Sequence, residues 1–149
     1  MSQENTCIIA ALDLSDDLEA VASKARYLAD CMQLPVRLLH IIDDQALIEL
    51  SNEFGPGNTP GSGYIQQELR DEYIARHKIG ARLNLSDNQL GELEIRAGQH
   101  CAKTLEQRAR DLNASVIVTG QPETHFGSVV SHLARHAHCD VYIVRTRPK

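Results

Sequence analysis

The chain has 149 residues, 15 of them Lys or Arg and 20 Asp or Glu, with 42% hydrophobic and 4% aromatic residues. That length favours one domain with a sizeable core, and the ordinary apolar fraction excludes general disorder. The net charge of −5 and the lack of a Lys/Arg cluster argue against nucleic-acid binding, which needs a basic surface to release phosphate counterions.

Met1 to Thr6 is polar and acidic, without the basic segment and apolar stretch of a secretory signal. The apolar run that follows is far shorter than the roughly 20 residues of a membrane span. The expectation is a cytoplasmic protein without a membrane anchor. Cys7, Cys31, Cys101 and Cys139 are widely spaced, with no C-x-x-C pair. They are therefore expected to be reduced and mostly buried, with Cys31 and Cys101 on apolar helix faces. The sequons at Asn84 and Asn113 carry no meaning without secretion.

Thr6 to Leu12 (TCIIAAL) predicts a strand buried on both faces. Asp13 to Asp17 then offers helix-start chemistry, with Ser15 as N-cap and two aspartates suited to the positive end of the helix dipole. Leu18, Val21, Ala22, Ala25, Leu28, Ala29 and Met32 recur at helical spacing until Leu34-Pro35 ends the helix. Val36 to Ile42 (VRLLHII) predicts a second strand, so the chain opens β-α-β with a right-handed crossover.

Asp43 to Gly63 holds four of the nine glycines and two of the five prolines. It predicts a long flexible loop, since both residue types break helices. Its glycines do not spell a phosphate motif. The later elements are a helix from Tyr64 to about Leu83 carrying Ile65, Leu69, Tyr73, Ile79 and Leu83; a third strand from Gly91 to Ala97; and a helix from Gly98 to Leu112, with Cys101, Leu105, Ala109 and Leu112 on one face. A fourth strand, Ser115 to Thr119, leads to a helix from Gly127 to Ala137 with Val130, Leu133, Ala134 and Ala137 inward. The fifth strand runs from Asp140 to Arg145.

Five strands alternating with four helices define an α/β domain over residues 1–149: a single open parallel sheet, order 3-2-1-4-5, with helices on both faces. Ligands of such sheets sit outside the carboxyl ends of the strands at the switch point. Asp13 to Ser15 and Gly120 to Ser128 should flank that point. Gly120 follows a strand directly, and Gly127-Ser128 opens a helix whose free N–H groups favour an anion. The bland reading of the same residues is a plain loop with a glycine hinge.

Four segments in this order resemble the universal stress protein family: Ala11-Leu12-Asp13-Leu14-Ser15, Leu38 to Asp43, Val116 to Gly120, and Leu133 to Arg145. The last is similar to a family pattern of the form RHAPCPVLVVR. The resemblance implies a Rossmann-like fold of the adenine nucleotide alpha hydrolase-like kind. Family members that bind ATP carry a G-x-x-G-x9-G-[ST] loop after strand 4 and an Asp after strand 1. By that resemblance Asp13, the backbone near Ile41, Gly120, Gly127 and Ser128 are the candidate nucleotide-binding residues. The middle of the loop departs from the pattern: Glu123 replaces the second glycine, and the loop is six residues short. A side chain blocks close backbone approach there and a carboxylate repels phosphate. The branch implied is the one that does not bind ATP, so no cofactor is expected, with ATP as the alternative.

His132 and His136 share a helix face, but Leu133 and Ala134 leave no H-E-x-x-H pattern, so no metal is expected. Ser128 with His125 or His132 lacks a G-x-S-x-G elbow, so no catalytic residue is expected. Val141, Tyr142, Ile143 and Val144 form an apolar strand at a sheet edge, which invites pairing with another chain. The resemblance implies a homodimer through that strand. Arg145, Arg147 and Lys149 read as a solvated tail. The functional expectation is a homodimeric, non-enzymatic stress-response protein that acts through protein partners and keeps a degenerate nucleotide crevice. The alternative is a nucleotide-binding regulatory switch. A nucleotide hydrolase is a third reading that no residue pair supports.

Overall fold

Apolar runs without alternation become strands covered on both faces, and that is how this sheet is built. The computed structural model describes residues 6–43, 62–98, 100–121 and 128–146. Of the predicted loop, Asp43 to Gly63, residues 44–61 lie outside them; at its ends Asp43 is still strand and Ser62 and Gly63 already begin a helix, against the expectation. The strands are β1 (Ile8–Leu12), β2 (Val36–Asp43), β3 (Glu94–Gly98), β4 (Val116–Gly120) and β5 (Asp140–Val144). The helices are α1 (Leu18–Met32), α2 (Ser62–Leu83), α3 (Asp87–Glu92), α4 (Cys101–Asp111) and α5 (Ser128–His136). The sheet order is β3-β2-β1-β4-β5, every pair parallel, as the sequence predicts.

Alternation along β1 divides the core in two. Ile8, Ala10 and Leu12 face one layer with Leu18, Val21, Ala22, Ala25 and Ala29 of α1 and Ile79 of α2. Ile9 faces the other with Leu39, Ile117, Leu105 of α4 and Leu133 of α5. The chain moves outward from β1 to β3, then returns past β1 to β4 and β5. Right-handed crossovers in opposite directions must put their helices on opposite faces. Full burial of each large aliphatic side chain contributes about 1.5–3 kcal/mol.

Three helices stop in the same way. Gln33, Asn84 and Asn113 have φ values of 56°, 54° and 49°. The next residue's N–H then reaches five residues back: Leu34 to the Ala29 carbonyl, Leu85 to Gly80 and Ala114 to Ala109, each at 2.9 Å. This is the Schellman arrangement, and asparagine tolerates its left-handed position. Both sequon asparagines therefore serve as helix stops.

Several expectations need correction. Residues 87–92 form α3, so β3 starts at Glu94 and Gly91 belongs to a helix. The cause is a capping box: Ser86 Oγ accepts from Gln89 N–H at 3.2 Å, and Gln89 Oε1 accepts from Ser86 N–H at 2.9 Å. Arg76 of α2 holds the far end, donating to the Leu90 and Leu93 carbonyls at 2.7 and 2.6 Å. Cys31 and Ala134 are exposed, while Cys7 is buried and Cys101 and Cys139 are half-buried. Leu69 and Tyr73 are 59% and 64% exposed. Periodicity marks a stripe but not its partner, and this part of α2 lies beyond the sheet-facing turns at Ala75 and Ile79.

Candidate functional site: the crevice between β1 and β4

At the carboxyl ends of β1 and β4 lies the switch point, because the helices that follow, α1 and α5, pack on opposite faces of the sheet; in this fold class ligands sit in the crevice at that point. The β1–α1 connection is a pair of side-chain turns. Asp13 Oδ1 accepts from the Ser15 N–H at 3.1 Å and from the Ser15 hydroxyl. Ser15 Oγ in turn accepts from the Asp17 N–H at 3.2 Å. Asp17, not Ser15, occupies the N-cap of α1, and its side chain makes no cap hydrogen bond.

That side chain is used elsewhere. Asp17 is 2% exposed, and its Oδ1 accepts from the Thr146 hydroxyl, two residues beyond β5. Its other face lies against Gly120, where a Cβ would stand 3.1 Å from Asp17 Oδ2, 3.2 Å from Asp17 Cβ and 3.5 Å from Val21 Cγ2. Glycine at 120 is thus required by the first turn of α1. The close approach the sequence predicts at this residue is made, within the chain, by a buried carboxylate.

Arg82, in the last turn of α2, clamps the same connection. Its guanidinium donates to Glu19 Oε1 and Oε2 at 2.8 and 2.7 Å, and to the Ser15 carbonyl at 2.7 Å. The bond from Arg82 holds the Glu19 carboxyl at about 2, well below its ordinary 4.5. The guanidinium is held above its own usual value, chiefly by Glu19.

On the other flank, His40 of β2 contacts the Leu12 carbonyl through Nδ1 at 2.7 Å. A carbonyl only accepts, so this nitrogen carries the proton. Ile41, the next residue, packs its side chain into the second core layer. The Pro35 carbonyl accepts from Ile8 N–H, so odd residues of β2 turn their backbone toward β1. Leu12, the last residue of β1, pairs with His40. The Ile41 carbonyl therefore points past the end of β1 into the crevice.

Among the predicted site residues, the structure brings Asp13, Ile41 and Gly120 to this one end of the sheet. Gly127 lies outside the described residues, as do Glu123 and His125. Ser128 is the first residue of α5. Sequence reasoning missed Asp17, Glu19, Arg82 and Thr146. None belongs to a motif; Asp17 alone carried a signal, as an acid in the predicted helix start.

The remaining candidates resolve locally. His132 Nε2 sits 3.0 Å from Glu106 Oε2, and its ring packs at a tilt against that of His136 with centroids 4.6 Å apart. This bond, together with Arg110, keeps the Glu106 carboxyl below its usual range. Among the described residues no three His, Cys, Asp or Glu side chains converge as metal ligands. Burial, then Asp140, pushes the Cys139 thiol up. β5 pairs only with β4 among the described strands. Val144 is buried in the core, Val141 and Ile143 are half-buried, and Tyr142 is exposed. The Lys24 ammonium stands 5.7 Å from the Tyr142 ring and 5.4 Å from that of Tyr27. No helix among the described residues is long and apolar enough to cross a membrane.

Fold and crevice define an open, doubly wound α/β domain of the Rossmann-like class. The model of the Universal stress protein family matches residues 5–145. The chain belongs to that family. Universal stress protein UspA from Lactobacillus plantarum is 24% identical, with a TM-score of 0.66 over 97% of this chain and 100% of its own. The universal stress protein from Archaeoglobus fulgidus in complex with dAMP is 21% identical, with a TM-score of 0.55 over 93% of this chain and 96% of its own. A universal stress protein in complex with cAMP is 20% identical, with a TM-score of 0.56 over 97% of this chain and 100% of its own. Among curated proteins none matches the chain significantly.

Proposed function

We propose that this protein is a homodimeric, non-enzymatic stress-response protein of the cytoplasm, whose nucleotide crevice is degenerate. One observation carries the reading: the buried Asp17 carboxylate packed against Gly120 and tied to Thr146. The Asp17 carboxyl oxygen beside the Gly120 backbone is a hydrogen-bond acceptor, so it opposes the approach of a phosphate, whose oxygens also accept. Glu123 adds a second carboxylate to the following loop of the sequence. The dimer reading rests on β5 as an edge strand that pairs only with β4 among the described residues.

Calorimetric titration with ATP, AMP and cAMP tests the crevice. The expected result is no binding at micromolar concentrations and no turnover of ATP. Saturable micromolar binding of any of the three would overturn the degenerate reading in favour of the nucleotide switch. The dAMP and cAMP complexes of the two relatives are what keep that second reading in play. Sedimentation at tens of micromolar tests the dimer: Ile143→Lys should shift a dimer to monomer, and a monomeric parent would refute it.

A further inference from the structure

The opposite end of the sheet has a recess of about 670 Å³, within the roughly 300–1,000 Å³ usual for ligand sites. It lies between α1, α3 and the starts of β2 and β3, and none of the crevice residues lines it. Pro35, Val36, Leu38 and Leu93 give it an apolar floor. Leu93 is buried, but Val36 and Leu38 are only half-covered by the core layer they join. The apolar surface left open there is surface that a ligand's apolar body can cover, with the usual gain from removing it from water.

Four charges surround this floor, Arg26 and Arg37 against Glu92 and Glu94, and they cancel. Arg37 and Glu94 answer each other at 4.0 Å, and Glu94 is also held by Arg108 at 2.7 Å and Arg96 at 3.3 Å. Arg26 of α1 and Glu92, the last residue of α3, are exposed and have no ion pair among the described residues, either with each other or with a third group. A ligand therefore meets one uncommitted cation on the α1 wall and one uncommitted anion on the α3 wall. A plain anion drawn to Arg26 is repelled by Glu92 and Glu94. A plain cation drawn to Glu92 is repelled by Arg26 and Arg37. A molecule that carries both charges offers each wall the opposite sign, and a guanidinium takes a carboxylate through two parallel N–H donors.

We propose that this recess binds a small zwitterion with an apolar body: a short apolar peptide whose amino and carboxyl ends are both free. Its carboxylate lies on Arg26, its ammonium on Glu92, and its side chains on Val36, Leu38 and Leu93. Charge decides the orientation, and the apolar floor decides which zwitterions stay.

The test is a titration of the isotopically labelled full-length protein, followed by amide NMR, with four probes: Leu-Leu, acetyl-Leu-Leu without the ammonium, Leu-Leu amide without the carboxylate, and Gly-Gly without the apolar body. The expected result is saturable shifts at the Val36, Leu38 and Leu93 amides with Leu-Leu at millimolar concentration, and none with Gly-Gly. Either capped form should bind about three- to fivefold more weakly, the worth of one exposed ion pair. Two surface variants then tell which wall reads which end. Arg26→Gln should weaken Leu-Leu by the same factor and leave Leu-Leu amide as in the parent, since that probe has no carboxylate to lose. Glu92→Gln should weaken Leu-Leu likewise and leave acetyl-Leu-Leu unchanged. No shift at the three amides with millimolar Leu-Leu would overturn the proposal. So would capped forms or Gly-Gly that bind as well as Leu-Leu, or variants that discriminate among the probes as the parent does.

Discussion

At the carboxyl ends of β1 and β4, Asp13, Asp17, Glu19 and Arg82 all have partners within the chain. At the amino ends of β2 and β3, Arg26 and Glu92 have none among the described residues, and Arg37 has only a carboxylate 4.0 Å away. Polar groups that are already paired rigidify a site and leave little for a ligand to gain, whereas unpaired ones lose little on binding. At the end where the fold class places ligands, these groups are therefore paired within the chain. The end with no assigned role keeps open chemistry.

Two glycines put the largest expected effect on that contrast. Gly120→Val should destabilise the protein by about 1–3 kcal/mol, because Asp17 is buried, pinned by Thr146 and cannot yield to the new side chain. A urea midpoint equal to the parent's would show that the crevice has slack. Next in size is Thr146→Val, which removes a donor from the buried Asp17 carboxylate and should cost about 1–2 kcal/mol. An unchanged midpoint would show that the C-terminal segment is not latched to α1. The sign reverses at the open end. Gly91→Ala meets no atom within 4 Å and lies in a helix, so it should stabilise by about 0.5–1 kcal/mol.

The smallest effect concerns the surface clamp and is read through pH. The Glu19 carboxyl sits at about 2 in the folded protein against an ordinary 4.5. The folded value is the lower one, so the pair's contribution is present above about pH 4.5 and fades as pH falls toward about 2. Arg82→Gln should remove that part of the pH dependence of the urea midpoint and leave the rest. Both residues are exposed to solvent and salt, so the change is small. Parallel pH profiles for parent and variant would mean that the clamp does not form in solution.

Much of the architecture was legible from the chain. Unbroken apolar runs marked β1, β2 and β4, helical periodicity marked α1 and α4, and the β-α-β order led to the sheet order through crossover handedness. Asp13 and Gly120 were legible as residues at the carboxyl ends of β1 and β4 because the apolar runs stop there. α3 was not, although Ser86 and Gln89 spell a capping box, because six residues are too few to show a periodic face. The exposure of Cys31, Leu69 and Tyr73 was also hidden, since an apolar stripe does not reveal whether another element covers it.

The sequence by itself determined the order of elements, the faces of the main helices and the location of the crevice, because these follow from local periodicity and chain handedness. Only the tertiary structure decided how the groups around that crevice are paired. Arg82 lies 63 residues from Glu19 in sequence, and Thr146 lies 129 from Asp17. No local pattern encodes such pairs; they arise when the crossovers bring α2 and the end of β5 against the start of α1. The register of β2 with β3 is decided in the same way: it begins only at Leu39 and Glu94, because α3 takes up the residues before β3.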